Sequence, residues 1–206
     1  MNILVIGAGG VGASMASIAE TRSFFSTFVL ADITKSRAEE AIALLDDRTK
    51  FVAEQVDARD KEAIKALIHK VKADVVVNAC DPRMNEPIFG AAYEAHCNYI
   101  DMAMNLSEPH QTNPYEEVGS PLGKDQLAAD AQWRERGILA LVGMGVEPGL
   151  SDVFARYAAD NLFDTIDEIG VRDGSNLSID GLDFAPTFSI WTTIEECLNP
   201  PIVWEK

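Results

Sequence analysis

Asn2-Ile3-Leu4-Val5-Ile6 runs directly into Gly7-Ala8-Gly9-Gly10-Val11-Gly12, and what these eleven residues become decides the fold. A short apolar strand that breaks into Gly-x-Gly-x-x-Gly and then an amphipathic helix is the fingerprint of a dinucleotide-binding turn. Gly7 permits the sharp exit from the strand. Gly9 leaves the backbone open to a pyrophosphate, and Gly12 lets the helix lie close against the sheet. The unpaired N–H groups and the dipole of that helix then face the anion through Gly9, Gly10 and Val11. A second apolar run, Phe28-Val29-Leu30-Ala31, ends in Asp32 about twenty residues beyond the loop, where such folds place a ribose-binding carboxylate. The alternative, a purely structural glycine turn, explains neither the flanking strand nor Asp32.

Outward from that start the chain alternates strand and helix. Apolar positions at helical spacing mark helices around Val11–Ala19, Ala38–Leu45 and Ile64–Val71. Strands are expected at Phe28–Asp32, Phe51–Asp57, Asp74–Cys80, Asn98–Asp101 and Ile138–Val142. The β-branched run Val75-Val76-Val77 suits a central strand covered on both faces. Asn85 is read as the cap of a helix carrying Pro87 in its first turn. A loop rich in Pro, Asn, Ser and Gly fills 105–123 and reads as a lid or binding loop, and a helix follows over Leu127–Arg136. The pattern predicts an α/β fold with a doubly wound parallel sheet over residues 1–145, and the start of a second, α+β substrate or dimerisation domain over 146–206. In that second unit Ser151 is expected to cap a helix through Val153 and Tyr157. A strand is expected over Ile166–Val171, a turn at Asp173-Gly174, a further segment at Phe188–Trp191, and a helix opened by Thr193-x-x-Glu196. The run Ile202-Val203-Trp204 has no turn after it, so this domain is read as incomplete.

Composition excludes several functions. The 206 residues carry a formal net charge of −16, which disfavours nucleic acid and anionic membrane surfaces as partners. Cys80, Cys97 and Cys197 form no CxxC pair and read as reduced thiols rather than a disulfide frame, which places the protein in the cytoplasm. No basic leader and no apolar stretch near the length of a span is visible, so neither a signal peptide nor a membrane helix is expected. Cys80, His96, Cys97 and His110 have no recognisable ligand spacing, and no metal site is expected.

The chemistry-bearing candidates sit where open α/β sheets bind ligands, beyond the carboxyl ends of the strands. Asp32 is expected on the ribose hydroxyls, favouring NAD over NADP, although Lys35 and Arg37 follow closely enough to meet a 2′-phosphate. Asp57 either flanks the adenine or caps the next helix. Asn78 and Ala79 are expected along the nicotinamide ribose. Asp101 either orients substrate and moves a proton or anchors a loop, and His110 in the long loop is the other catalytic candidate. No Tyr is followed four residues later by Lys, which excludes the proton relay of short-chain dehydrogenases.

The Gly-x-Gly-Gly-Val-Gly start resembles the saccharopine dehydrogenase superfamily. So do Val76-Val77-Asn78-Ala79, Asn98-Tyr99-Ile100-Asp101 and the stretch Leu141–Phe154 around Gly143-Met144-Gly145-Val146-Glu147-Pro148-Gly149. The resemblance implies a domain that binds a nicotinamide dinucleotide. It further implies a second domain presenting an amino-acid- or polyamine-derived substrate, and hydride exchange at a carbon–nitrogen bond. It also implies a longer parent chain. The incomplete second domain is expected to leave unpaired strand edges and an uncovered apolar face after Ser151, so a homo-oligomer is expected. Two positions depart from the family pattern: Asp32-Ile33 where NADP users often carry Arg, and Glu147 where many members carry Asp. The reading from a different class is a protein that binds NAD without turnover, as a sensor or scaffold.

Overall fold

The computed structural model describes residues 1–172, 174, 178–183 and 190–198. Strands β1 (Asn2–Ile6), β2 (Thr27–Asp32), β3 (Phe51–Gln55), β4 (Val75–Asn78), β5 (Asn98–Asp101) and β6 (Ala140–Leu141) form one sheet in the order β3-β2-β1-β4-β5-β6. Every pairing is parallel, with Ile3–Ile6 in register against Phe28–Ala31 on one side and Val75–Asn78 on the other. Between the strands run α1 (Gly10–Glu20), α2 (Lys35–Ala43), α3 (Lys61–Val71), α4 (Asn85–Glu94), α5 (Lys124–Ala128) and α6 (Asp130–Glu135). Two further helices, α7 (Leu150–Asn161) and α8 (Ile190–Leu198), follow the sheet. The doubly wound α/β fold expected from the alternation is present.

Strand period divides the core in two. Ile3, Val5, Phe28, Leu30, Val75 and Val77 point to the face covered by α1 and α2. Their neighbours Leu4, Ile6, Val29, Val76 and Tyr99 point to the face covered by α3, α4 and α6. A strand buried on both sides has no polar alternation, which is why β1 and β4 read as unbroken apolar runs.

α1 packs differently from the expected pattern. Val11 and Ile18 are exposed, and the buried stripe is Gly12, Ala16 and Ala19. The reason is distance. A Cβ on Gly12 would lie 1.9 Å from the Gly7 carbonyl oxygen, so only a stripe of small side chains lets the helix sit that close to the turn. Asn85 is also not a cap: it is the first residue of α4, only 1% exposed, and its side chain serves the interior. The expected helix over Leu127–Arg136 is two short helices with Ala129 between them.

The residues after 145 depart further from the expected pattern. α7 starts at Leu150 after Gly149, so Ser151 lies inside the helix; the Gly149 N–H is instead met by Asp152 Oδ2 at 2.9 Å. No strand forms over Ile166–Val171, because no neighbouring segment among the described residues supplies a ladder. Thr193 falls within α8, whose turns begin at Ile190, so it does not open that helix. Asp173, Phe188, Ser189 and Ile202–Trp204, and the side chain of Glu196, lie outside the described residues.

Replacing Gly12 with Ala is expected to cost about 1–3 kcal/mol, the usual range for overpacking a closed contact. Val11→Ala, on the exposed side of the same turn, is expected to cost almost nothing. Urea unfolding of the two variants checks the assignment, and equal losses would contradict it.

Candidate functional site

β1 leaves the sheet at Gly7, whose φ of +108° only glycine adopts freely, and whose Cβ would lie 2.7 Å from the Ala79 carbonyl oxygen. The Gly7 N–H donates to the Ala31 carbonyl at 2.7 Å, and the Ala79 N–H to the Ile6 carbonyl at 2.8 Å. The turn is thus clamped between β2 and β4, at the point where the strand order reverses. Ala13 N–H donates to the Gly9 carbonyl at 2.9 Å as the first bond of α1. The N–H groups of Gly10, Val11 and Gly12 therefore open the helix without intrahelical acceptors. A Cβ on Gly9 would meet nothing within 4 Å among the described residues. Gly7 and Gly12 are demanded by the protein's own packing; Gly9 is not, and the space it leaves is a cradle facing solvent at a helix N-terminus. That fits a phosphate group.

The cradle opens into a crevice of about 440 Å³ lined by Gly7, Gly9, Asp32, Arg37, Asp57, Arg59, Ala79, Cys80 and Asp81. Asp32 is only 7% exposed, and both its oxygens are used: Oδ2 accepts from the Ala8 N–H at 2.9 Å and Oδ1 from the Thr34 N–H at 2.9 Å. It holds the glycine turn to the end of β2 while keeping lone pairs toward the crevice. Asp57 does not cap α3; Asp60 does, accepting from the Ala63 N–H at 3.0 Å. Asp57 is instead paired with the Arg59 guanidinium at 2.7 Å, and the hydrogen bonds from Arg59 lower its carboxyl to about 2. The sequence reading missed Arg59, although the β3–α3 turn was bound to face the same crevice once β3 lay beside β2. Lys35 does not reach it: its ammonium lies 3.6 Å from Glu39.

On the other side, Ala79 lines the crevice but Asn78 turns inward, 2% exposed. Cys80 faces the crevice as an inert group. Its thiol donates to the Ile6 carbonyl at 3.3 Å, and burial, with the charges of Asp32 and Asp81, pushes it up to about 12. Cys80, Cys97 and Cys197 are all free thiols.

A second cavity, of about 560 Å³, adjoins the first across the 3₁₀ turn Pro82–Met84. Its lining includes Arg83, Glu86, Leu106, Glu108, Lys124 and Asp125. Its outer wall is the segment 105–125, pinched by reciprocal bonds between Glu108 and Ser120 at 3.0 and 2.8 Å. Neither catalytic candidate from the sequence lines either cavity. His110 accepts from the Asn113 N–H through Nδ1 at 3.2 Å, shaping its own loop. Asp101 is 1% exposed, and burial raises its carboxyl above the ordinary 3.8 against the pull of its donors Gly143, Gln126 and Tyr99. No group of metal-ligating side chains forms among the described residues, and no described helix is long and apolar enough to cross a membrane.

Residues 3–141 match the family described as saccharopine dehydrogenase NADP binding domain. Carboxynorspermidine synthase of Vibrio cholerae is 34% identical over all of this chain and 50% of its own length. Carboxyaminopropylagmatine dehydrogenase of Synechocystis is 27% identical over 94% of this chain and 46% of its own. Among solved structures, apo saccharopine dehydrogenase (L-Glu forming) of Saccharomyces cerevisiae aligns with a TM-score of 0.59 over 78% of this chain and 31% of its own. At 15% identity that likeness is one of fold. The chain spans about half the length of the curated relatives it matches.

With its folded value lowered to about 2, Asp57 contributes stability that is present above the ordinary 3.8 and lost as pH falls through about 2. Arg59→Ala is expected to return the Asp57 midpoint toward 3.8, as read by a carboxyl NMR titration. An unchanged midpoint would show that Arg59 does not hold this carboxylate.

Proposed function

The chain belongs to the saccharopine dehydrogenase NADP-binding-domain family, and from that premise we propose that it is the cofactor half of an oxidoreductase acting at a carbon–nitrogen bond. The observation that carries the reading is the Gly9 cradle, open where nothing among the described residues requires a glycine and lying at the start of α1. The cofactor is a nicotinamide dinucleotide, which when bound supplies or accepts the hydride. Gly9, Gly10, Val11 and Gly12 would hold its pyrophosphate, Asp32 its adenosine ribose, and the Ala79 backbone the nicotinamide side. Cys80, held neutral, adds an uncharged surface to that wall. Asp57 and Arg59 close the adenosine end as a pair.

NAD is the preferred form, because the Asp32 carboxylate sits at the ribose end and opposes a 2′-phosphate. Arg37 lines the same end, and its guanidinium has no ion pair or hydrogen bond among the described residues, so NADP is accommodated less well rather than excluded. The adjoining cavity, with Lys124 and the Asp81-paired Arg83 set among Glu86, Glu108 and Asp125, suits a substrate bearing both carboxylate and ammonium groups. An amino-acid- or polyamine-derived amine fits that description, in keeping with the names of the two relatives. The domain division near 145, a cytoplasmic setting and a homo-oligomer belong to the same proposal. Exposed Val153, Phe154 and Tyr157 on α7 support the last of these.

A second reading, dinucleotide binding without turnover, is favoured by one observation: Asp101 and His110 both lie away from the crevice, which leaves no assigned proton donor. Turnover assays on protein of the relatives' full length, with amine and imine substrates, separate the two.

In a fluorescence titration NADH is expected to bind more tightly than NADPH. Arg37→Ala should widen the gap by about tenfold, the scale of one charge-assisted hydrogen bond. Gly9→Val should abolish binding of both while leaving the unfolding midpoint unchanged. A folded Gly9→Val protein with wild-type NADH affinity would reduce the turn to a structural one.

A further inference from the structure

Behind the two cavities the carboxyl ends of β4 and β5 carry a buried chain of polar side chains. It begins at the dinucleotide crevice. The Cys80 N–H donates to Asn78 Oδ1 at 2.9 Å, Asn78 Nδ2 to Asn85 Oδ1 at 2.7 Å, and Asn85 Nδ2 to the Ala103 carbonyl at 2.7 Å. Asn78 Nδ2 also reaches the Tyr99 hydroxyl at 3.3 Å, which donates to Asp101 Oδ2 at 3.0 Å. Gln126 Nε2 donates to the same carboxylate oxygen at 2.7 Å, and Gln126 Oε1 accepts from the Asn105 N–H at 2.8 Å. Asp101 Oδ1 takes the Gly143 N–H at 2.7 Å. Asn78, Asn85, Tyr99, Asp101 and Gln126 are each no more than 5% exposed.

The direction of every link is fixed by its ends. Backbone N–H groups of Cys80 and Asn105 only donate, and the Ala103 carbonyl and an ionised carboxylate only accept. Each amide therefore has a single orientation that leaves no buried polar atom unpaired. Both arms terminate on the same segment, at Ala103 and Asn105, where the chain enters the outer wall of the second cavity. The Asn105 carbonyl also accepts the Gly123 N–H at 2.8 Å, so the two ends of that wall are tied at one point.

We propose that Asp101 and Gln126 are positioning residues, forming with Asn78 and Asn85 a direction-locked latch that sets the wall 105–125 against the dinucleotide crevice. This rests on the reading of the second cavity as the substrate side, but its test does not. Asp101 is then a fixed acceptor rather than a proton-transfer group. Asp101→Asn sets its new amide against Gln126 Nε2, two donors face to face. Flipping Gln126 only moves the conflict to the Asn105 N–H. Gln126→Glu sets two carboxylates together. The double variant Asp101→Asn/Gln126→Glu restores the order. The amide introduced at 101 donates to the carboxylate introduced at 126, which still accepts from the Asn105 N–H, while the amide oxygen at 101 still accepts from the Gly143 N–H. The Tyr99 hydroxyl loses its acceptor in both Asp101 variants, so the return toward wild type is close rather than complete.

The test is amide hydrogen exchange read by mass spectrometry on the 206-residue protein and these three variants, with an NADH titration in parallel. Each single variant is expected to speed exchange over 105–125 by at least about tenfold, the scale of a lost hydrogen bond to a charged group, while α3 is unchanged. The double variant should return to within about threefold of wild type, the remainder being the weaker loss at the Tyr99 hydroxyl. If the single variants unfold, a folded double variant supports the latch equally. Unchanged exchange in the single variants, or a double variant as exposed or unfolded as the worse single one, overturns it. Loss of NADH binding in the wild type would instead count against the function proposed above and leave the exchange result standing.

Discussion

The contact between Gly12 and the Gly7 carbonyl oxygen, where even a methyl group would sit at 1.9 Å, sets the geometry on which the crevice depends. It brings the first turn of α1 down onto the end of β1, so that the free N–H groups of Gly10, Val11 and Gly12 stand at the mouth of the sheet. It also obliges the rest of α1 to bury alanines instead of large side chains. The cost of that small interface is offset elsewhere. The strands β1, β2 and β4 bury Leu4, Val5, Leu30 and Val76 completely, and fully burying such a side chain is worth about 1.5–3 kcal/mol.

Around this contact the molecule uses carboxylates in two ways. Asp32 and Asp101 are buried and commit their oxygens to backbone and side-chain donors, which makes them fasteners of the glycine turn and of the Gly143 turn. Asp57 and Asp81 sit at the crevice rim, each held by the arginine two residues later, Arg59 at 2.7 Å and Arg83 at 2.8 Å. The rim thus stays ionised yet locally neutralised. In a chain of net charge −16 these pairs leave fewer bare carboxylates at the crevice rim, which lessens the local repulsion that an anionic ligand would meet.

Tyr99 joins the apolar and polar halves of the interior. Its ring stacks edge-on to Phe89 at 5.2 Å and lies 6.4 Å from Trp133, while its hydroxyl enters the buried polar chain. An aromatic body in the core with its oxygen in a network gives β5 one fixed position for both. The wall over the second cavity inherits that position through Asp101 and Gln126.

The six strands of the sheet, their parallel pairing and the glycine turn were legible in the residues, unlike the strand expected over Ile166–Val171, because these depend on local period and on backbone freedom. Unbroken apolar runs at β1 and β4 and Gly-x-Gly-x-x-Gly between β1 and α1 leave few other arrangements. The membership of Asp32 and Ala79 in the crevice followed from topology, since both stand at carboxyl ends of neighbouring strands. What the side chains face was not legible. Asn78 and Asp101 occupy strand ends that topology assigns to the ligand, yet both turn inward, because buried Asn85, Tyr99 and Gln126 offer partners that no local pattern announces. Val11 and Ile18 matched a helical stripe but stand in solvent, since a 1.9 Å clearance elsewhere in the turn selected the small-residue face. Within residues 3–141, forces acting over a few residues determined what each segment becomes, and those forces are written in the local pattern. Only the tertiary structure decided which polar groups face the crevice and which turn into the fold, because that choice is made by partners distant in the chain, as with Asp101 and Gln126, 25 residues apart.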